Sequence, residues 1–453
     1  MRRLIHYLKP YWTICALAVI MLIGNTTVDL VTPRLVQKII DQGIARHNMQ
    51  VVWTTAILMF GLDVMGAALM IGNTILAVRS SQRFGADVRG ALFHKIQSLS
   101  FGNLDRLQTG ELLVRLTSDI SRVQTLVLMS LRMIIRAPLL LVGSMILLVI
   151  TSRHLAVIML VVFPITFALV WVFAAKARPL FLEIQRRLDR LNNVLQENLS
   201  GVRVVKAFVR TDHENARFGV ANDALMKQGI RIMRFFSFLM PTIAALIQLG
   251  TVAAIWLGGV YVVNDTVTVG QVVAFVNYMV NTLFPLSMLG MMVNMISSAE
   301  ASAQRIVEVL QNEPQVQDAP NGRILPDMKG RVALENVTFS YNGNSQEPVL
   351  NGVNLQAQPG ETIAILGATG AGKSSLINLI PRFYDVTSGR VTIDGEDVRE
   401  LDLGALRSQI GIALQEAVLF SGTVRDNIRY GRPEASDEEV VAAAKAAQAH
   451  DFI

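Results

Sequence analysis

The sequence predicts an α-helical polytopic membrane domain of six spanning helices with long cytoplasmic extensions, joined to an incomplete α/β domain. Three observations carry this. Apolar residues make up 52% of the 453 and charged residues only 17%, a balance too apolar for a soluble or disordered chain. The apolar residues are gathered into six long runs, all before residue 312. Beyond that point the pattern changes to short alternating runs punctuated by Gly and Pro.

Each run has the roughly 20 residues that a helix needs to cross about 30 Å of hydrocarbon. They are Tyr11–Val31, Val51–Val78, Leu126–Ile150, Leu155–Ala175, Leu239–Val263 and Gly270–Ser297. The first follows Arg2, Arg3 and Lys9, as a signal peptide would. Its A-x-A triplet, Ala16-Leu17-Ala18, falls in the middle of the apolar run, too early for cleavage, so a retained helix is expected. Cys15 is the single cysteine, which excludes an internal disulfide and a cysteine-based metal site.

The net charge of +6 follows the topology. Basic residues crowd the two long stretches between spans, from Arg79 to Arg122 and from Lys176 to Arg234. The turn at Asn264–Asp265 has none. The positive-inside rule then places both termini and both long loops in the cytoplasm. No separate basic domain is left over to bind nucleic acid.

The two long loops need structure of their own. Leu188, Leu191, Leu195 and Leu199 recur at three- and four-residue spacing within Phe181–Leu199, so the helices are expected to run on out of the membrane. A separate coiled-coil hairpin is the alternative. Gly102, Gly110 and Gly201 are candidate turns between the arms.

Residues 1–311 form the membrane domain, 312–330 a Pro- and Gly-rich linker, and 331–453 the α/β part. Arg331–Tyr341 alternates as a strand, and Glu361–Leu366 reads as a buried strand. Next comes Gly367-Ala-Thr-Gly-Ala-Gly372-Lys373-Ser374, a phosphate loop, with a helix expected over Ser374–Phe383. Gly367, Gly370 and Gly372 let the backbone wrap an anion, and successive N–H groups point at phosphate. Lys373 brings a point charge to the outer phosphates, and the Ser374 hydroxyl can ligate Mg²⁺. Asp394-Gly395 reads as a tight turn without chemistry, and Ile410–Leu414 as a short strand. Ser436-x-x-Glu439 reads as a capping box opening the last helix.

The whole chain resembles a half-size ATP-binding-cassette exporter, of the type that includes bacterial lipid flippases and multidrug exporters. The resemblance rests on Val337-Thr-Phe-Ser-Tyr341, Gly367–Ser375, Pro381-Arg-Phe-Tyr-Asp385, and Leu414-Gln415-Glu416 followed by Leu419–Thr423. In the membrane part it rests on Gly110–Asp119 and Gln196–Phe208. The resemblance implies ATP and Mg²⁺ as cofactors. It puts Tyr341 on adenine, Gly367, Thr369, Gly370, Ala371, Gly372, Lys373, Ser374 and Ser375 around the phosphates, and Ser374 and Gln415 on Mg²⁺. It implies short coupling helices near Asn103–Gly110 and Thr211–Ala216, the second docking on a partner half-transporter, in a homodimer or heterodimer. It implies export of an amphipathic drug, lipid or peptide across a bacterial plasma (inner) membrane. Ala368, Ser375 and Leu414 depart mildly from the family's usual residues.

The family's signature sequence, the acidic residue ending an apolar strand and the switch histidine do not follow Gln415, so this chain reads as a fragment with no catalytic residues of its own. Asp29 and Asp63 fall in or beside spans, where ionisable groups point to a pathway or to a polar contact. Asp29, before Pro33, reads as a hydrated residue near the helix end. Met288, Met291, Met292 and Met295 share one face of the sixth helix, with Asn277, Asn281 and Asn294 nearby and Pro285 expected to kink it. Asp63, Asn277, Asn281, Met288, Met292 and Met295 are the candidate pathway residues. Two other functions stay open at this point: a membrane-anchored nucleotide sensor or gated channel, and a tethered GTPase, the latter lacking an N-K-x-D motif.

Purified chain 1–453 is expected to bind ATP without hydrolysing it. Lys373-dependent phosphate release by that chain would overturn this.

Overall fold

The computed structural model describes residues 3–341, 348–413 and 418–453, apart from the side chains of 286–291, 293 and 294. The chain packs into two compact units. One comprises residues 1–99 and 106–313; the other comprises residues 314–453 together with the six residues Ser100–Asp105.

The first unit is entirely helical. A tight turn of helix over Leu4–Tyr11 leads into α1 (Trp12–Lys38). After a π turn at Ile39–Ile44 comes α2 (Met49–Ser98), capped by the Asn48 side chain. The short α3 (Phe101–Arg106) and α4 (Thr109–Val114) follow. The chain then rises through α5 (Ile120–Met129) and α6 (Arg136–Thr151), with π turns at Arg115–Asp119 and Ser130–Ile134. Next are α7 (Arg153–Ser200), the short α8 (Val202–Ala207), α9 (Thr211–Val263) and α10 (Val269–Gln311).

Among the described residues, five helical runs are long and apolar enough to cross a membrane. The sixth expected span lies in α10, one continuous helix whose middle is partly outside the described side chains. With 50 residues, α2 is about 75 Å long at about 1.5 Å per residue, more than twice the hydrocarbon thickness. Large apolar side chains on the spans are uncovered, including Phe60 at 72% and Trp171 at 68% exposure. That is the ordering a bilayer completes.

Between helices an apolar cluster that includes Leu148, Leu155, Phe275 and Leu283 is supplemented by polar contacts. Asn25 donates to the Gly66 carbonyl, and Asn73 donates to the carbonyls of Ala18 and Leu131. The Tyr278 hydroxyl donates to the Leu30 carbonyl at 2.6 Å. Such bonds tie helices where burial alone distinguishes poorly between protein and lipid. At one end of the unit, the Asp41 carboxylate accepts from the Thr268 hydroxyl at 2.6 Å and the Gly270 N–H at 2.8 Å. A side chain at Gly270 would meet Asp41 and the Gln37 carbonyl at 2.6 Å.

Several expectations need correction. Gly102 and Gly110 lie inside α3 and α4, whereas Gly201 is the expected turn, between α7 and α8. The second short cross-helix is Val202–Ala207; Thr211–Ala216 already belongs to α9, whose first turn carries Asp212 and Glu214 as its N-terminus favours. Asp29 is not near a helix end. The helix runs on for about 15 residues past it, and Asp29 accepts from Arg136 at 2.7 Å. Pro285 lies within α10, which continues through it. Asp63 and Asn277 are exposed, and Asn277 donates to the Val273 carbonyl of its own helix. Asn281, Met292 and Met295 are half-buried. The side chains of Met288, Met291 and Asn294 lie outside the described set.

The second unit holds a four-stranded antiparallel sheet of order β2-β1-β3-β4, from β1 (Val332–Phe339), β2 (Leu350–Ala357), β3 (Ser388–Ile393) and β4 (Glu396–Asp397). Val332 pairs with Ala357 on one side and Ile393 on the other. Asp394 and Gly395, at φ of 53° and 90°, make the β3–β4 turn. The Asp394 carboxylate also accepts from the backbone N–H groups of Lys329 and Arg331. Leu334, Val337, Phe339, Val391 and Ile393 form a core with Leu376 and Leu379 of α11 (Lys373–Leu379). The shorter helices are α12 (Leu403–Ser408), α13 (Val424–Arg429) and α14 (Asp437–Ala446), the last opened by the Ser436–Glu439 capping box. The expected strand at Glu361–Leu366 forms no ladder among the described residues, and Leu366 is 93% exposed. Ile410–Ala413 likewise pairs with nothing among them. A buried strand needs neighbours to define it, and the four strands present lie elsewhere in the sheet. The helix expected to reach Phe383 ends at Leu379.

The strongest polar contact in the helical unit is at Asp119, which is fully buried. Its carboxylate accepts from Arg305 Nε and Nη2 at 2.8 and 2.5 Å and from the Ser302 hydroxyl at 2.9 Å. Burial alone would raise its pKa. Hydrogen bonds from Arg305 and Ser302, with the charges of Arg305 and Arg122, outweigh that and hold it below the ordinary carboxylate range. The stabilisation is therefore complete above the unfolded-state value and is lost as pH falls through the lowered one. Arg305→Ala is expected to cost about 3 kcal/mol of stability, because it strands a buried charge. A thermal unfolding midpoint unchanged from wild type in detergent would contradict it.

Candidate functional site

The site is built on the turn that leads into α11. The Pro359-Gly360 turn is closed by Glu361, which accepts from the Gln358 N–H at 2.8 Å. Residues 361–366 then run extended to the loop Gly367–Gly372. Gly370 and Gly372 have φ of 83° and 85°, a conformation costly for other residues. Gly372 has a second constraint: a Cβ there would meet Leu350 Cδ2 at 2.9 Å and the Val349 carbonyl at 3.1 Å. The helix that follows is fixed by Leu376 and Leu379 in the core, so the loop's N–H groups are held on a rigid base.

Lys373 Nζ donates to the carbonyls of Gly367 and Ala368, both at 2.8 Å. Its ammonium thus curls over the loop, with carbonyl dipoles and, among the described residues, no carboxylate as partners. That leaves a full positive charge for an anion cradled by the same loop. Thr369, Ala371 and the Ser374 hydroxyl are on exposed residues of this turn. Ser374 offers one oxygen to Mg²⁺, whose other ligands would be phosphate oxygens and water, as is usual for this ion. These residues fit a nucleotide triphosphate with its metal, which would neutralise phosphate charge there. Gln415 lies outside the described residues.

Ser375 points the other way. It is buried, and its hydroxyl shares a hydrogen bond of 2.8 Å with the Tyr341 hydroxyl. This bond fixes Tyr341 against the base of the phosphate loop. The Tyr341 ring packs edge-on against Phe339 (centroids 4.9 Å) and Tyr384 (5.2 Å) and remains 40% exposed. An aromatic face held this way, beside a phosphate cradle, suits a flat purine.

Beyond the resemblance they carry, no role for Pro381–Asp385 was read from the sequence, and the structure gives partners to the side chains of Arg382, Phe383, Tyr384 and Asp385. Arg382 pairs with Asp385 at 2.8 Å. Phe383 stacks on Phe101 with centroids 4.2 Å apart, and the Arg407 guanidinium lies over the Phe383 ring at 5.3 Å from its centroid. Tyr384 donates its hydroxyl to Asp105 at 2.6 Å. Ser100 Oγ and Asn103 Oδ1 both accept from the Gln315 N–H. An aromatic pair in a turn flanked by charges was the only signal available, and it does not say what the rings meet.

Spanning helices on the same chain as a phosphate loop and a propped aromatic ring define a membrane-embedded phosphate-loop protein. Residues 15–286 match the ABC transporter transmembrane region, and residues 350–453 match the ABC transporter family's second model. Among relatives, an uncharacterized ABC transporter ATP-binding protein, YfiB, of Bacillus subtilis (strain 168) is 38% identical, covering all of this chain and 78% of its own. An uncharacterized ABC transporter ATP-binding protein, Rv1273c, of Mycobacterium tuberculosis (strain ATCC 25618 / H37Rv) is 34% identical over 99% of this chain and 78% of its own. An ATP-dependent lipid A-core flippase of Syntrophus aciditrophicus (strain SB) is 31% identical over all of this chain and 75% of its own. The chain belongs to the ABC transporters, with the helical membrane region and ATP-binding region of a half-transporter.

Burial, then the hydrogen bond to Asp105 and its negative charge, push the Tyr384 phenol far above the usual tyrosine range. The contact is therefore complete below the unfolded-state value, near 10, and is lost only as pH rises through the raised one. Ultraviolet difference titration is expected to show one tyrosine ionising later in wild type than any in Tyr384→Phe. Identical titration curves would contradict the assignment.

Proposed function

We propose that this chain is one half of a dimeric, ATP-driven exporter that moves an amphipathic drug, lipid or peptide across the membrane by alternating access. The observation that carries it is the phosphate loop with its curled Lys373, on the same chain as helices that run far past the bilayer. Tyr341 takes the adenine, Gly367–Ser375 the phosphates, and Ser374 with Gln415 the Mg²⁺. The termini and both arms are cytoplasmic, and the membrane is a bacterial plasma (inner) membrane.

A partner is needed because this chain supplies one membrane region and one nucleotide site. The tip of the second arm supports this. Val204, Phe208 and Val209 are 60%, 73% and 84% exposed around α8 and its turn, an apolar surface at the cytoplasmic end of the arm. In the resemblance that tip docks on the partner half. Asp63, Asn277, Asn281, Met288, Met292 and Met295 are the proposed pathway side chains, the methionines suiting varied apolar ligands.

The test uses the full-length dimer in proteoliposomes and a fluorescent phospholipid analogue as probe. ATP is expected to drive probe movement, and Lys373→Ala to reduce it to the protein-free background. Probe movement sustained by a non-hydrolysable ATP analogue would mean a gated channel and would sink the pump.

A further inference from the structure

Ser374 and Ser375 follow Lys373 in the first turn of α11, and their hydroxyls part company. Ser374 is exposed, whereas Ser375 is 5% exposed and shares its hydrogen bond of 2.8 Å with the Tyr341 hydroxyl. Burying a hydroxyl is costly unless it is bonded, and alanine would suit the helix better than serine. Neither burial nor helix propensity favours serine at 375, so what its hydroxyl contributes lies in that bond. Tyr341 sits two residues past the end of β1, and its ring meets Phe339 and Tyr384 through edge contacts, at 74° and 90°. Those contacts restrain the ring from its sides; the hydroxyl bond pins its tip. Ser375 rides on α11, which Leu376 and Leu379 hold in the core. One helix therefore carries both the end of the phosphate loop and the anchor of the aromatic ring beside it.

We propose that Ser375 is a positioning residue for the base, its hydroxyl acting through Tyr341 and not on phosphate. The inference rests on the ATP-driven reading above and deepens it. The backbone of Ser375 stays with the phosphate loop, while its hydroxyl sets the pose of the ring on which adenine stacks. A ring pinned before the base arrives has little freedom left to lose, so the bond lowers the cost of binding a base. A ligand that has phosphates and no base gains nothing from it. Tyr341→Phe removes the same bond from its other side and leaves the ring in place. The two removals should therefore act as one.

The full-length dimer in nanodiscs is titrated by calorimetry, with Mg²⁺, against two ligands: the non-hydrolysable AMP-PNP and inorganic tripolyphosphate. Ser375→Ala is expected to weaken AMP-PNP about threefold to tenfold, the worth of one hydrogen bond, and to leave tripolyphosphate within about twofold. Ser375→Thr keeps a hydroxyl and is expected to restore AMP-PNP binding. In a Tyr341→Phe background, Ser375→Ala is expected to cost nothing further. Equal losses for both ligands would put the hydroxyl on phosphate, or make it a support of the fold, and either overturns the proposal. So does an AMP-PNP affinity unchanged in Ser375→Ala, a loss that Ser375→Thr does not restore, or a second, independent loss in the Tyr341→Phe background. Where tripolyphosphate binds too weakly to measure, the Tyr341→Phe comparison decides alone. If the unsubstituted dimer binds neither ligand, the ATP reading falls first and the proposal with it.

Discussion

Hydrocarbon offers no hydrogen-bond partner, so every backbone N–H and C=O that enters it must be satisfied within the chain. The rest of this structure depends on that constraint. It forces continuous helices through the bilayer, and helices already formed are cheaply extended, because propagation adds a bond for each residue fixed. The helices of 48 and 53 residues, α7 and α9, are the result. Their extensions carry short turns far from the lipid. The arms are thus the spans continued in water, where charged faces replace lipid-facing ones.

Within the membrane unit the polar contacts do a different job from apolar packing. Asp119, Arg305 and Ser302 join the first arm to the end of the last helix, just before the chain leaves for the nucleotide unit. Arg115, also buried, lies 3.4 Å from Glu308 one turn further along the same helix. Charged groups buried this way are costly when mismatched, so they fix one register between the two elements. Asp29 and Arg136 form a half-buried pair among the spans.

The class of the fold was legible because apolar run length and loop charge are carried by composition over twenty residues at a time. The phosphate loop was legible because its glycines and lysine lie adjacent in sequence. What stayed hidden depends on residues distant in sequence. Asp29 looked terminal because Pro33 suggested a stop, yet a proline inside a membrane helix is tolerated and the helix continues. Gly102 and Gly110 were taken for turns where short helices form, whereas Gly201 does mark one. The partner of Tyr384 is Asp105, 279 residues away, and no local pattern reports such a pair. Glu361–Leu366 shows the opposite failure: its composition is that of a buried strand, but a strand exists only in a ladder.

The Asp41 contact with Thr268 and Gly270 has a consequence for packing. It joins the turn after the first spanning helix to the start of the last, so these two parts of the helical unit are held together there. The Cβ-free position at residue 270 brings the carboxylate close enough to accept from a backbone N–H at 2.8 Å. A side chain at residue 270 would wedge these two parts apart, because its Cβ would meet Asp41 and the Gln37 carbonyl at 2.6 Å.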